Sequence, residues 1–93
     1  MIQNKLEQYY SGDSNWIQFA SYYKMIPNTM HTIKLIRLLN NDELLAKVIE
    51  GLIGEKAINW IMKQIPALDN LRPIDCISTV DLLYRLRTML MRM

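Results

Sequence analysis

Apolar residues recur along most of the chain at spacings of three and four, which places them on one face of a helix. The clearest stripe lies in a fourth predicted helix and comprises Leu44, Leu45, Val48, Ile49 and Leu52. No segment shows the sustained period-two alternation that is typical of strands. The sequence therefore predicts an all-α protein, a compact bundle of about five to six short helices.

Capping residues and prolines divide the first part of this pattern into three helices. They are predicted over residues 2–10, about 14–25 and about 29–39. Asn28 or Thr29 is the expected N-cap of the third helix. Because that helix is apolar on most sides, we expect it at the centre of the domain.

The fourth helix is expected to begin after Asn41 as its N-cap, with Glu43 and Lys47 forming a favourable i,i+4 pair. A fifth helix is predicted over about 55–64, followed by a loop at 66–73. These features, together with the earlier helices, indicate one domain, with an aromatic-rich part at about 1–40 and a second helical part at about 41–93.

The last helix follows a single turn at 73–77 that begins with proline, and Ser78 is its expected N-cap. Its polar residues form one narrow stripe: Asp81, Arg85, Thr88 and Arg92. The remaining side chains are almost all apolar, so the helix needs cover on two sides. One interpretation is a central core helix, and the other is a helix that a protein partner or a second copy covers, giving a homodimer in free solution.

Composition adds limits on where the protein acts. The 93 residues are 51% hydrophobic and include seven methionines, which suit an adaptable contact surface. A net charge of +2 is too small to imply a polyanionic partner. The single cysteine cannot form an internal disulfide, which fits a reducing compartment. With no signal-peptide pattern and no long apolar run, we expect a cytoplasmic protein that does not associate with membranes.

Candidate catalytic residues are few and isolated. His31 has no metal-ligand neighbours, Cys76 has no adjacent base, and Asp69 and Asp75 flank a proline turn where aspartates commonly cap. There is no glycine-rich phosphate loop. We therefore expect no enzymatic activity, no cofactor and no metal.

Aromatic residues crowd the front of the chain: Tyr9, Tyr10, Trp16, Phe19, Tyr22 and Tyr23. Such a cluster can form a base-stacking platform, but only Lys5 and Lys24 supply positive charge nearby. Core packing or a dimer contact is the better interpretation.

The second half of the chain resembles the toxin-binding domain of Xre/MbcA/ParS-like antitoxins over about residues 44–93. The positions that carry the resemblance are Ala57, Trp60, Ile61, Ala67, Leu68, Pro73, Ile74, Asp75 and Thr79, followed by Leu86 and Leu90. The chain departs from the family pattern at Gln64, at Leu82 and at Asp69-Asn70, which replace a Gly-Gly pair. Both Asp and Asn also tolerate the left-handed backbone region.

The resemblance implies a non-enzymatic antitoxin that neutralises a partner toxin, either a RES-type NAD-consuming enzyme or an ADP-ribosyltransferase, by occluding its active site. It places the connector and the end of the last helix at the toxin. The implied partner-binding residues are Asn70, Leu71, Arg72, Arg85, Met89, Met91, Arg92 and Met93.

Two alternatives stay open. One is a small inhibitor of phage or mobile-element origin, such as an anti-CRISPR, that uses the same module against another target. The other is a helix-turn-helix repressor, for which residues 27–29 would be the turn. The helix after that turn offers only His31, Lys34 and Arg37 as readers of DNA, so support for DNA binding is weak.

Overall fold

A computed structural model describes residues 5–93, and this part of the chain is all-helical, which confirms the predicted class. The helices are α1 (Asp13–Ser21), α2 (Met30–Leu38), α3 (Glu43–Ile53), α4 (Ala57–Ile61) and α5 (Val80–Met91). Shorter 3₁₀ segments cover Leu6–Tyr9, Gly54–Lys56, Pro66–Leu68 and Pro73–Ile77. Four helices have nine residues or more, whereas α4 has only five.

The first predicted helix, at 2–10, is not an α-helix over the described residues 5–10. Residues 2–4 lie outside the described residues, and Leu6–Tyr9 is a 3₁₀ turn. The predicted helix at 14–25 ends early, at Ser21, and the one at 55–64 is a 3₁₀ turn followed by α4. Gly54, with φ of 83°, interrupts the helix between α3 and α4 because this backbone conformation cannot continue a right-handed helix.

The central helix is α3, which contacts α1, α2, α4 and α5. The middle of its apolar stripe, Leu45, Val48 and Ile49, is inaccessible to solvent, and Leu44 and Leu52 at its ends are partly buried. The expectation that the third predicted helix, α2, lies at the centre is wrong. Only Thr32 and Leu35 of α2 are buried, and Met30 is 87% exposed. The physical reason is that α2 packs against α3 on one side and leaves its opposite side open to solvent.

Two helix caps differ from the predictions by one residue, and one agrees. Thr29 caps α2 as expected, because its hydroxyl oxygen accepts a bond from a backbone N–H of the first turn. Asn41 is left-handed, with φ of 62°, so the N-cap of α3 is Asp42. Ser78 already has helical angles, so the extended Thr79 caps α5.

Lys47 connects α3 to the segment after α1 through a buried hydrogen bond. Its ammonium group lies 3.1 Å from Glu43 Oε1, which confirms the predicted pair. It also donates to the backbone carbonyl of Lys24 at 3.0 Å. Only 8% of the Lys47 side chain is exposed, so this bond holds the turn after α1 against the central helix.

The packing of Tyr23 against α3 can be tested at Gly51. A Cβ atom at this position would lie only 2.2 Å from Tyr23 Cδ1. Alanine improves helix propensity by about 1 kcal/mol, yet the clash forces the aromatic ring to move. We expect Gly51→Ala to destabilise the chain by about 1–2 kcal/mol in urea unfolding. In a Tyr23→Ala background the same change should stabilise it. A gain of stability in the unaltered background would show that the ring moves aside without cost.

Candidate functional site

The connector, defined as residues 66–73, is a loop that is closed by two backbone hydrogen bonds to Ile65. The N–H of Ile65 donates to the carbonyl of Leu71, and the N–H of Asn70 donates to the carbonyl of Ile65, both at 3.0 Å. Asp69 and Asn70 have φ of 55° and 64°, in the left-handed region that their side chains tolerate. Leu68 is fully buried and anchors the loop to the core. The connector therefore presents a fixed conformation to solvent.

Arg72 projects from this connector and is oriented by Asp75. Its Nε and Nη2 atoms donate to the two carboxylate oxygens at 2.8 and 3.1 Å. This bidentate pair lowers the pKa of Asp75 and raises that of Arg72. Both side chains stay about half exposed, so the guanidinium group remains accessible to a partner.

The middle of the polar stripe of α5 is covered, because Arg85 is only 6% exposed, whereas Asp81 and Arg92 at its ends are exposed. Arg85 donates to both carboxylate oxygens of Glu7 at 3.0 and 2.9 Å, and to Asp69 at 3.0 Å. The bond from Arg85 lowers the pKa of the Glu7 carboxyl. Thr88, one turn on, is also buried and donates to the Tyr84 carbonyl. The Leu6–Tyr9 turn packs along α5, and its Glu7 binds this stripe.

We call residues 5–13 the N-terminal strap, since they run along α5. Tyr10 stacks on Tyr84 with ring centroids 4.1 Å apart, and its hydroxyl accepts a bond from Arg87 at 2.9 Å. At the far end, the guanidinium of Arg92 lies 5.0 Å from the centre of the Tyr9 ring. The strap therefore joins the connector region to the end of α5.

The aromatic residues after the strap divide between core and surface. Trp16 is 2% exposed and belongs to the hydrophobic core, which confirms core packing for this residue. Phe19 and Tyr23 are half-buried against the same core. Tyr22, in contrast, is largely exposed.

The predicted partner-binding residues fall into two groups. Asn70, Arg72, Arg92 and Met93 are exposed, and Leu71 and Met91 are half-buried. Arg85 and Met89 are buried, and Arg85 is held by internal ion pairs. We define the exposed and half-buried set as the connector–α5 surface, comprising residues 70–72 and 91–93.

The two parts of this surface are connected through α5. Arg85 binds Asp69 of the connector, and Arg92 follows seven residues later, on the same face of the helix and roughly 10 Å further along. Tyr9 is a residue that the sequence analysis did not select, although it is exposed and contacts Arg92. No local signal identifies it, because its contact is made across almost the whole chain.

The candidate catalytic residues His31 and Cys76 lie in surroundings that account for them structurally. His31 Nδ1 and the Thr32 hydroxyl both bond to the carboxylate of Glu50. Burial raises the pKa of Cys76 to about 11, so its thiol is protonated at neutral pH. Within residues 5–93 there is no cluster of three or more metal-ligating side chains, and none of the helices there is long and apolar enough to cross a bilayer.

Asp69 and Asp75, considered above as candidate catalytic residues, each face an arginine instead of each other. This geometry gives both acids a role in fixing the connector.

Comparison with known proteins adds the family. A family model described as the antitoxin Xre/MbcA/ParS C-terminal toxin-binding domain matches residues 38–93, which include α3, α4, the connector and α5. No curated protein and no solved structure matches the chain. Because the matched residues make up more than half of the sequence, the chain belongs to the Xre/MbcA/ParS antitoxin family, and residues 38–93 are its toxin-binding domain.

Proposed function

We propose that this chain neutralises a toxin by placing the connector–α5 surface over the entrance of the toxin's active site. The family gives a toxin as the partner. The observation that carries the choice of surface is the set of exposed cationic and methionine side chains at its two ends. Arg92 makes no ion pair with any residue in 5–93, and Met93 is 60% exposed. Met93 is free to enter a partner, and Arg92 can exchange its contact with the Tyr9 ring for an acceptor of the partner.

The chemistry of the surface suits a deep, polar active site. Each guanidinium group has five N–H donors in a planar fork, which bind carboxylates and other acceptors bidentately. Arg72 is already held in place by Asp75, so it loses less conformational freedom on binding. Methionines at the end of α5 add adaptable apolar contact. We propose RES-type NAD-consuming or ADP-ribosylating enzymes as the toxins, as the family resemblance implies, because a site for an anionic dinucleotide offers acceptors that a guanidinium group satisfies bidentately.

The proposal is tested by reversing the two exposed charges. We expect Arg72→Glu/Arg92→Glu to weaken binding to the purified cognate toxin by about 100-fold or more, since charge reversal at an interface anchor costs several kcal/mol. The same variant should fail to restore growth when it is co-expressed with the toxin.

The matched control is Lys24→Glu/Lys63→Glu, which changes the charge equally at two exposed lysines outside the surface and outside the strap. It should bind the toxin within a few-fold of the unaltered chain. Circular dichroism of both variants shows whether the fold is kept. If the Arg72/Arg92 variant is folded and still neutralises the toxin, the toxin is bound elsewhere and the proposed surface is wrong.

A further inference from the structure

A second surface feature lies on the exposed side of α2, away from the connector. It is a groove of about 640 Å³ between α2 and α4. The groove is lined by Met30, His31, Ile33, Lys34, Arg37 and Ile58. All of these except Ile58 precede the toxin-binding domain at 38–93. The groove is therefore distinct from the proposed toxin-binding surface.

The groove combines apolar side chains with uncompensated positive charge. Met30 and Ile33 are exposed large hydrophobic residues, and Ile58 lies opposite them on α4. Lys34 and Arg37 line the same groove, none of its lining residues is acidic, and neither cation is ion-paired within residues 5–93. This arrangement is complementary to a ligand that is apolar on one side and negatively charged at its edges.

His31 adds an unsatisfied polar atom. Its Nδ1 is engaged with Glu50, whereas its Nε2 is shielded from solvent and has no hydrogen-bond partner in the described part of the chain. Buried polar atoms are nearly always hydrogen-bonded in folded proteins. This histidine therefore has unused hydrogen-bonding capacity beside the groove.

We propose that the α2–α4 groove binds an acidic amphipathic helix of a second protein, independently of the toxin. Leucine or isoleucine side chains at i, i+3 and i+7 would contact Met30, Ile33 and Ile58, in the helix-in-groove manner. Glutamates beside them would pair with Lys34 and Arg37. The nine residues of α2 span roughly 13 Å, enough to contact two to three turns of such a helix.

The apolar side chains argue against nucleic acid as the occupant. A phosphate backbone is bound by several basic and polar side chains, and here only two cations with permanent charge are present. Met30 and Ile33 would gain nothing from a phosphate and would be better covered by aliphatic side chains.

The test uses a synthetic helical peptide of about three turns, with leucines on one face and glutamates elsewhere, and a second peptide in which lysine replaces each glutamate. Fluorescence anisotropy with the full chain should show at least tenfold tighter binding of the glutamate peptide. Lys34→Glu/Arg37→Glu should reverse this preference, whereas the Lys24→Glu/Lys63→Glu control should keep it. In the unaltered chain, methyl NMR shifts should concentrate at Met30, Ile33 and Ile58.

Several results would overturn the proposal. These are equal binding of both peptides, no binding, shifts centred on the connector, self-association through the groove, or salt-sensitive binding of duplex DNA that Lys34→Glu/Arg37→Glu abolishes. The outcome is separable from toxin neutralisation. The groove variant is expected to bind the toxin as tightly as the unaltered chain, and Arg72→Glu/Arg92→Glu is expected to bind the glutamate peptide normally.

Discussion

Replacing Arg85 with alanine is expected to lower the free energy of unfolding by about 3 kcal/mol, a large part of the stability of a chain this size. The side chain is almost fully buried and is the link between the strap and the connector, through Glu7 and Asp69. Its removal leaves the half-buried Glu7 carboxylate without its guanidinium partner. Urea unfolding followed by circular dichroism measures the loss.

Matched variants separate the contributions of Glu7 and Asp69, the two partners of Arg85, to the free energy of unfolding. Glu7→Gln keeps the shape of the side chain but removes its charge, and we expect a loss of about 2 kcal/mol. Asp69→Asn tolerates the left-handed backbone and removes an exposed partner, so the loss should stay below about 1 kcal/mol. Arg92→Ala lies on the same face of α5 but is exposed, and it should also cost little. An Arg85→Ala loss no larger than that of Arg92→Ala would contradict the assignment.

The pH dependence of stability gives a second readout of the same pair. Arg85 lowers the pKa of Glu7 in the folded chain below its ordinary value of 4.5. A lowered carboxyl pKa contributes stability above pH 4.5, and that contribution is lost as the pH falls through the folded pKa. The difference in unfolding free energy between the unaltered chain and Glu7→Gln should be full near neutral pH. It should shrink steadily as the solution is acidified below pH 4.5.

Trp16→Ala is the second change with a large expected effect, a loss of about 4 kcal/mol. Trp16 is one of the largest fully buried side chains, although it precedes the toxin-binding domain at 38–93. Its ring packs against Phe19 and lies 5.2 Å from the Arg87 guanidinium of α5. Its removal would open a cavity next to the helix that carries the proposed toxin contacts.

The adjacent residue provides the control for this substitution. Ile17 is 54% exposed, so Ile17→Ala should change stability by less than about 1 kcal/mol. Thermal unfolding of both variants, with toxin affinity measured below their transitions, compares the two positions. If Trp16→Ala unfolds at the same temperature as Ile17→Ala, the ring of Trp16 does not stabilise the core and its assignment as a core residue is wrong.

Local signals were sufficient for much of the fold and for the family. The stripe of α3, the Thr29 cap and the turn at Pro73–Ile77 all follow from spacing and capping chemistry. The resemblance over about 44–93 is confirmed by the family match at 38–93. The left-handed Asp69-Asn70 pair agrees with its place at a Gly-Gly position.

The features that sequence reasoning missed depend on contacts between distant residues. The apolar residues of α2 indicated burial, but composition does not say how many neighbours a helix has. The middle of the polar stripe of α5 is covered because Glu7 binds Arg85 across 78 positions, and no local pattern shows that pairing. Sequence analysis consequently placed Arg85 and Met89 at the partner surface, whereas the structure places both in the interior.

The strap also sets the order in which the molecule can fold. Its bonds join residues that are 74–78 positions apart, so the segment that carries them is synthesised long before α5. At 5–20 residues per second, the ribosome needs roughly 4–16 s to make the intervening chain. Throughout that interval Glu7 and Tyr10 have no helix to bind. The connector–α5 surface that we propose for the toxin can therefore form only after α5 has been synthesised, and until then the aromatic segment of each new chain is open to proteases.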